Sequence, residues 1–476
     1  MPHGGYHGEV RVGNTVVQQA SRSDGKGGQT GGGQYKAEGY KKSNVSNLEK
    51  IIRERDKIRE MKSDPSMDTR SLAIASQAPK AIIADAQNVD KETNVRIDSS
   101  AKYLDRINIA NSLLDRDDAR LKIGGYGEVN YNQPYGGDIR SNGELDVQRF
   151  ITFLAYRFSD RVDFVAEIEF EHVKEVYLEQ AFIRYRLTDF MNLNAGLMLI
   201  PMGIINEYHE STTFNGVERP RIANKIVPTT WREIGAGISG KFQDAGFKYQ
   251  LYLVNGLKGY DNGSAKINGG GVRSGRQKGA ESIMSSPNLS FKFDYYAIRN
   301  LNIGFAGYLG KTQSTMFDGL DTTDDFLVAQ ADSSRVGMKM FGLDARYNQS
   351  GFSFRGSYIF GSLSNTKEYN AFTGSNAGSK FYGYYAEVAY DLFRLFEVKT
   401  EDQALVAFVR YEKYNTQSDV EGGTSQLDKY NLHDIVTGLG YKIADGVVLK
   451  ADLQFRKAKD ADKYSKQFNA GLAVWF

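Results

Sequence analysis

The chain ends in Phe468-Asn-Ala-Gly-Leu-Ala-Val-Trp-Phe476, and this stretch decides the fold that the sequence predicts. Side chains of a β-strand point alternately to two faces. Phe468, Leu472 and Phe476 therefore share one face, while Asn469 and Trp475 take the other. Such a pattern is typical of the last strand of an outer-membrane β-barrel, which has lipid on one face and a lumen on the other. A soluble sandwich can also end this way, so the prediction depends on the upstream chain.

The same alternation recurs upstream. Between residues 162 and 171, Phe164 and Ile168 alternate with Asp163, Glu167 and Glu169, as in a strand with one apolar and one wet face. About sixteen such segments lie at 120–131, 145–158, 162–172, 176–187, 192–200, 231–242, 247–256, 287–297, 300–311, 335–347, 352–362, 381–390, 403–413, 432–443, 447–457 and 466–476. Bacterial barrels have an even number of strands, which agrees with this count.

The connections between the segments alternate between short and long. Short ones, such as Asn348-Gln-Ser-Gly351, contain the residues that favour tight turns. Longer ones lie at about 201–230, 257–286, 312–334, 363–380 and 414–431. Outer-membrane barrels have short periplasmic turns and long external loops, whereas nothing forces this alternation in a sandwich or propeller. We therefore predict an all-β fold, a transmembrane antiparallel β-barrel of about 16 strands at residues 119–476.

Composition agrees with this class and excludes others. The 476 residues include 50 Gly, 29 Tyr and 27 Phe but only 8 Pro, which favours aromatic strands joined by loops. The absence of cysteine excludes disulfides, thiolate metal sites and a cysteine nucleophile. A net charge of +2, from 60 basic and 58 acidic residues, gives no reason to expect nucleic acid as a partner.

Residues 1–118 differ from the rest and are predicted to be an N-terminal periplasmic extension. A Gly- and Gln-rich stretch at 21–40 predicts disorder. The capping box Ser46-Asn-Leu-Glu49 predicts a helix at about 46–63. This helix is either a solvated connector that rests on the barrel mouth, or a docking helix or short coiled coil with neighbouring subunits. The extension as a whole is a candidate binding segment for a periplasmic or envelope protein. The first residues lack the apolar core of a signal peptide, so an exported chain requires a leader outside this numbering.

The polar strand faces predict a charged lumen. The predicted pore-lining residues are Arg149, Arg157, Glu167, Glu169, Arg184, Arg186, Arg346, Arg355, Arg410, Lys450 and Arg456. Inward acidic residues are about as numerous as basic ones, which indicates a transverse field across a general diffusion pore. The hairpin near residue 173 is expected to bring Glu167 near Gln180 and Asp163 near Arg184. These charges either form a constriction wall or neutralise one another to stabilise a wet interior.

The connection after residue 200 is predicted to fold into the pore as a constriction loop. Its charged residues are Glu207, His209, Glu210, Arg219 and Arg221. One histidine without a second at ligand spacing is a weak signal for metal or catalysis, so we expect no metal, no cofactor and no catalytic residue. An outer-membrane enzyme remains an alternative, but nothing in the spacing of Ser290, His433 and Asp434 selects them as a catalytic set.

Five motifs resemble the phosphate-selective porin O and P family, in its Bacteroidota-type form. They are Tyr177-Leu-Glu-Gln-Ala-Phe-Ile-Arg-Tyr185, Pro201-Met-Gly203, Phe214-Asn-Gly-Val-Glu-Arg-Pro220, Pro228-Thr-Thr-Trp-Arg-Glu233 and Tyr252-Leu-Val-Asn-Gly256. The resemblance covers about residues 120–476 and implies a sixteen-stranded porin of the Gram-negative outer membrane, usually a homotrimer. In that family, small hydrophilic solutes pass down their gradients, and in the founding members a ladder of arginines favours phosphate. The terminal Phe476 is similar to the signal by which such barrels are recognised for insertion.

From these observations we expect a passive outer-membrane channel for small hydrophilic solutes or inorganic anions, in contact with outer-membrane lipid. The balanced inward charge argues against transferring phosphate selectivity by resemblance alone. A barrel that serves as a scaffold in a larger envelope complex is the other alternative, suggested by the N-terminal extension.

Overall fold

The computed structural model describes residues 119–398 and 402–476. The predicted helix at 46–63 and the periplasmic extension at 1–118 lie outside the described residues, and both stay predictions. Among the described residues, no helix has the length and apolar character needed to cross a membrane.

Sixteen antiparallel strands close into one barrel, as the sequence predicts. Three further short strands form a small separate sheet in the loops. In chain order, the strands are β1 Leu121–Tyr135, β2 Glu144–Ser159, β3 Val162–Glu171, β4 Glu175–Thr188, β5 Met191–Leu199, β6 Arg232–Phe242, β7 Phe247–Val254, β8 Lys258–Asp261, β9 Ser264–Ala265, β10 Asn288–Tyr295, β11 Leu301–Lys311, β12 Gln313–Ser314, β13 Gly337–Gln349, β14 Phe352–Ser364, β15 Lys380–Asp391, β16 Ala404–Asp419, β17 Asn431–Ala444, β18 Val447–Ala458 and β19 Ser465–Trp475. The loop strands are β8, β9 and β12.

The first and last strands close the barrel. β1 pairs with β19 in antiparallel register, with Val129 opposite Leu472. The backbone N–H of Gly125 donates to the carbonyl oxygen of Phe476 at 3.0 Å, and the reverse bond is also 3.0 Å. The C-terminal strand thus pairs with the first strand, and this pairing closes the barrel.

The outer face of the barrel is apolar and aromatic. On β14, Tyr358 and Phe360 are exposed, whereas Ser357 and Ile359 between and beside them are buried toward the lumen. Aromatic rings contact one another across strands, as between Phe305 and Phe341, whose centroids are 6.3 Å apart. This alternation is the one a barrel needs when lipid surrounds it.

Short turns and long loops lie at opposite ends of the barrel. The short turns lie at the end of the barrel where β1 begins and β19 ends. The turn at 350–351 needs residues with positive φ, and Ser350 (φ 50°) and Gly351 (φ 83°) supply them. At the other end, the connection at 172–174 is also short and breaks the expected rhythm, with His172 (φ 52°) and Val173 (φ 67°) in the left-handed region.

Within residues 119–398 and 402–476, the loops contain five short helices. They are α1 Gly203–Glu207, α2 Ile222–Lys225, α3 Asp325–Ser333, α4 Thr366–Thr373 and α5 Leu392–Leu395. Single 3-10 turns occur at Ser211–Thr213, Arg273–Gly275, Thr315–Phe317 and Asp428–Tyr430.

The main apolar core lies inside the barrel, because residues 200–231 fold into the lumen. We call these residues the lumen loop. Ile204 and Ile226 of the lumen loop belong to the same buried cluster as Ile359 on the barrel wall. Glycines on the wall leave room for the loop: a Cβ at Gly342 would lie 3.1 Å from Met202 Sδ, tighter than ordinary contact.

Candidate functional site

The lumen loop is held by charged side chains of the barrel wall. Lys450, on β18, donates hydrogen bonds from Nζ to the carbonyl oxygens of Ser211, Phe214 (2.6 Å) and Gly216 (3.0 Å). Its ammonium group also lies 4.3 Å from the centroid of the Phe214 ring. A buried ammonium is costly unless its protons are bonded, and here three loop carbonyls accept them.

A carboxylate of the wall holds the start of α2. Glu412 Oε2 accepts the backbone N–H groups of Arg221 (2.5 Å) and Ile222 (3.4 Å). The other oxygen accepts from Arg410 Nε at 2.8 Å. Negative charge is favourable at a helix start, because the first N–H groups there have no partner within the helix. Glu412 is therefore one attachment point of the loop.

The opposite side of the loop is held by lysines. Glu207, at the end of α1, forms an ion pair with Lys292 of β10 at 2.5 Å and with Lys248 of β7 at 3.5 Å. Burial raises the pKa of Glu207, but the ammonium groups of Lys248 and Lys292 outweigh it and hold the pKa well below its usual range. Glu207 is therefore a buried carboxylate anion that joins loop and wall.

His209 lies between two wall carboxylates. Its Nε2 is 3.1 Å from Glu167 Oε1 on β3 and 3.1 Å from Glu179 Oε2 on β4. All three side chains are buried. Burial lowers the pKa of His209, but Glu167 and Glu179 raise it more, to about 10. In the absence of another ligand, His209 is thus an imidazolium that bridges the two strands.

The predicted hairpin register is confirmed. Glu167 lies opposite Gln180, and Asp163 lies opposite Arg184. Gln180 Nε2 donates to Glu167 at 2.6 Å, and Arg184 Nη2 donates to Asp163 at 2.8 Å. The predicted contacts across this hairpin therefore form.

Most of the other predicted pore-lining arginines are also paired with carboxylates. Arg149 contacts Glu128 at 2.5 Å and Glu169 at 3.3 Å. The remaining pairs are Arg157–Asp163 at 3.2 Å, Arg186–Asp163 at 3.7 Å, Arg355–Glu387 at 3.1 Å, Arg410–Glu387 at 3.3 Å and Arg456–Asp434 at 3.0 Å. Neutralisation within the wall is thus extensive, and several charges also hold the loop.

A cavity of about 650 Å³ lies on the short-turn side of the lumen loop. The described residues around it include six basic and two acidic side chains, so its walls carry excess positive charge. The basic ones are Arg299, Arg346, Arg355, Arg394, Lys442 and Lys450; the acidic ones are Asp391 and Asp402. Arg346, a predicted pore residue, lies over the Tyr208 ring at 4.4 Å from its centroid.

A second cavity, of about 490 Å³, lies on the long-loop side. Phe214 borders both cavities, so this ring stands where they approach each other. The charges described around the second cavity are nearly balanced. They are Arg149, Arg219, Arg221, Arg232, Arg273, Arg276, Lys278 and Arg456 against Glu128, Glu144, Asp146, Glu169, Glu171, Glu179 and Glu218.

The basic residues of the second cavity are concentrated on its loops. The Nε atoms of Arg219, Arg221 and Arg276 are buried and have no hydrogen-bond partner in the described part of the chain. Burial, together with the nearby Arg273 and Arg232, lowers the pKa of Arg276 to about 9. Crowded guanidinium groups of this kind favour the binding of anions.

The site residues predicted from the sequence do not include Glu179 or the basic loop residues Arg273, Arg276 and Lys278. Glu179 sits at an irregularity of the β3–β4 register, which lets both Glu179 and Gln180 face the lumen. Strict alternation places only one of them inside, so the pattern hides the other. By contrast, the run Arg273-Ser-Gly-Arg276-Gln-Lys278 was readable as a basic loop segment. Glu210 of the predicted constriction loop is buried.

The three residues considered for an outer-membrane enzyme, Ser290, His433 and Asp434, do not form one site. His433 and Asp434 are neighbours on β17, where consecutive side chains take opposite faces. Asp434 is buried and paired with Arg456, whereas His433 contacts the Tyr464 hydroxyl at 2.8 Å in an exposed position. His433 and Asp434 therefore cannot act together, and Ser290 is a buried side chain on β10.

Comparison with known proteins gives one relative and several similar folds. The chain is 31% identical over 363 residues to an uncharacterised protein of Aquifex aeolicus (strain VF5), a match that covers 72% of this chain and 78% of that protein. Its fold is similar to that of an anion-selective porin from Comamonas acidovorans, with a TM-score of 0.50 at 12% identity over 75% of this chain and 99% of the porin. The outer-membrane channel DcaP of Acinetobacter baumannii gives a TM-score of 0.49 at 10% identity over 75% of this chain and 97% of that channel. No family model matches the chain.

Proposed function

Because the chain belongs to the same family as the Aquifex aeolicus protein and has a barrel of the porin fold, we propose that it is a bacterial outer-membrane porin. Small hydrophilic solutes and ions diffuse through it passively, and anions pass more readily than cations. The observation that carries this proposal is the pair of polar cavities, about 650 and 490 Å³, on the two sides of one inward-folded loop.

The proposed anion preference follows from the charge around the cavities. Six basic and two acidic residues line the short-turn cavity, and Glu387 and Asp445, which pair with Arg355 and Lys442, reduce the excess to two positive charges. Positive walls attract anions and replace part of their hydration. The crowded guanidinium groups of the second cavity add a site where phosphate can bind at the other end of the path. Phosphate is accordingly one of the anions that the proposal covers.

The proposed orientation places the long loops outside the cell and the short turns in the periplasm, as in bacterial barrels. The apolar outer face then contacts lipid. We include a homotrimer in the proposal because of the resemblance to trimeric porins. Mass measurement of the protein released in mild detergent tests the trimer, and a monomer under those conditions would remove this part.

Planar-bilayer recording tests the channel itself. Stable ohmic steps are expected from the purified protein, and their absence would contradict a porin. In a potassium chloride gradient, the reversal potential should show chloride preference. Adding phosphate should lower the chloride current, because both anions compete for the guanidinium groups.

A charge-reversal pair tests the source of the preference. The double variant Arg299→Glu and Arg394→Glu changes two residues that border the short-turn cavity and should shift the reversal potential toward cations. The double variant Lys459→Glu and Lys463→Glu is the matched control, because it changes the charge by the same amount at side chains that are 60% and 82% exposed and border neither cavity. Equal shifts in both proteins would mean that total charge, rather than the cavity lining, sets selectivity.

A further inference from the structure

We propose that Glu167, Glu179 and His209 form a binding site for a divalent transition-metal cation of the kind that zinc represents. Glu167 and Glu179 lie on the adjacent wall strands β3 and β4, and His209 lies on the lumen loop. One ligand atom from each residue lies within 4.8 Å of the others. A bound cation would thus fasten the loop to the wall. This site is separate from solute passage and goes beyond the porin function.

The two spacings from His209 to the carboxylates suit a metal ion, and the donor atoms of the two carboxylates lie within 4.8 Å of each other. Two ligands about 2.1 Å from one ion, separated by 90–110°, lie about 3.0–3.4 Å from each other. His209 Nε2 is 3.1 Å from the nearest oxygen of each carboxylate. One imidazole with two carboxylates is a donor set that zinc and similar cations accept, whereas calcium and magnesium prefer oxygen alone.

The charge around the site also favours a dication. Glu179 pairs with Arg232 at 3.2 Å, and its carboxylate lies beside Glu169, which shares Arg149 with Glu128. With Glu167 included, this network contains four carboxylates and two guanidinium groups, so it has two net negative charges when all four carboxylates are ionised and His209 is neutral. A protonated His209 removes one of these charges. A dication bound to the neutral imidazole removes both.

A second, independent observation is the hydroxyl group of Tyr126. This side chain is fully buried on β1, and its oxygen has no hydrogen-bond partner in residues 119–398 and 402–476. The hydroxyl interacts electrostatically with both Glu167 and Glu179, and the Tyr126 ring lies 6.3 Å from that of His209. Three protein ligands leave a fourth position of a tetrahedral ion for water. Such a water would give the Tyr126 hydroxyl the partner that the protein does not supply.

The competing state is a protonated His209 that bridges the carboxylates with no metal. Both states use the same three residues, so loss of stability in a variant does not separate them. Direct metal binding does separate them, because an imidazolium cannot coordinate a metal through the protonated nitrogen.

The test uses the full-length protein, stripped with a chelator and titrated with Co²⁺, whose visible absorption reports its ligands. One cobalt per chain is expected, displaced by Zn²⁺, with a nitrogen and oxygen shell in X-ray absorption. His209→Gln should lose the signal. The matched control is His172→Gln, because His172 also contacts a carboxylate, Asp146 at 2.5 Å, but at a 40% exposed side chain.

Three results would overturn the site. They are wild-type protein without cobalt binding, cobalt binding that His209→Gln retains, and binding that His172→Gln abolishes. If His209→Gln fails to fold, the cobalt titration of the wild-type protein still tests the site, because absence of binding there would overturn it. Metal removal should also increase current noise in the open channel. A protein that binds cobalt but shows no channel activity would contradict the proposed porin function and leave the proposed metal site standing.

Discussion

Two long connections of this barrel lie in different places: residues 200–231 fold into the lumen, and residues 312–336 cover the rim. The lumen loop is buried within the barrel, and Trp231 and Ile204 belong to its core. The second connection stays at the rim, where Phe326 is 68% exposed. The wall offers Lys450 and Glu412 to the backbone of the first, whereas the second is held by bonds within itself and with neighbouring loops. Wall partners, rather than loop length, therefore decide which loop enters the pore.

Bonds within the rim connection and to a neighbouring loop hold the residues around α3. Asp324 starts α3 by accepting the N–H groups of Phe326 (2.9 Å) and Leu327 (3.2 Å). Asn365 Nδ2 then donates to the carbonyl oxygens of Asp332 (3.0 Å) and Arg335 (2.9 Å). These bonds fix both ends of α3 at the rim.

The largest effect on this contrast is expected from Lys450→Met. It removes the donor for three loop carbonyls and should destabilise the docked loop by about 3–5 kcal/mol, since buried acceptors would lose a charged partner. Faster hydrogen exchange at residues 208–217 and a noisier, larger conductance should result. Lys429→Met is the control, because Lys429 also lies over an aromatic ring, 5.1 Å from the Tyr430 centroid, but at the rim. Unchanged exchange in Lys450→Met would show that the apolar contacts alone hold the loop.

Glu412→Gln should have a smaller effect. An amide oxygen still accepts from the start of α2, but the charge facing Arg410 and the helix start is lost. We expect a loss of about 1–3 kcal/mol in loop docking, measured as hydrogen exchange near residues 221–226. A loss as large as that of Lys450→Met would mean that the ion pair with Arg410 matters more than the helix start.

Asp324→Ala is the rim counterpart of Glu412→Gln. Loss of the two accepted N–H bonds should cost α3 about 1 kcal/mol, within the usual range for a helix-start residue. Exchange at residues 325–329 should rise while the conductance stays at the wild-type value. A changed conductance would show that the two loops are coupled after all.

The smallest effect is expected from Phe326→Ser. Phe326 is 68% exposed, so its replacement should change the free energy of unfolding by no more than about 0.5 kcal/mol. Urea titration in lipid vesicles measures it. A larger loss would reveal a packing partner for this ring in the membrane or in a neighbouring subunit.

The sequence predicts the barrel because its signals are local and repeated. Alternation such as that of Phe164 and Glu167 recurs sixteen times, and the paired positions Asp163 and Arg184 follow from one short hairpin. The seam between residues 121–131 and the C-terminal strand follows from closure alone, since an even set of strands leaves these two edges to pair.

The site is less readable, because its contacts join distant segments. Lys450 looks like any inward lysine until the carbonyl oxygen of Phe214, 236 residues away, is placed beside it. Glu179 is hidden by an irregular register. The approach of His209 to Glu167 and Glu179 depends on the path of a loop without periodicity, so the spacing of residues cannot reveal a three-residue cluster there. The roles of the predicted pore and constriction residues stay predictions until conductance is measured.

The central claim is that the lumen loop, through Phe214 between the two cavities, limits passage through the barrel. Single-channel conductance of Phe214→Ala in potassium chloride tests this most directly, with Phe326→Ser measured beside it. We expect a higher conductance for Phe214→Ala at an unchanged number of channels, and the wild-type value for Phe326→Ser. An unchanged conductance in Phe214→Ala, with the protein folded and inserted, would contradict the claim.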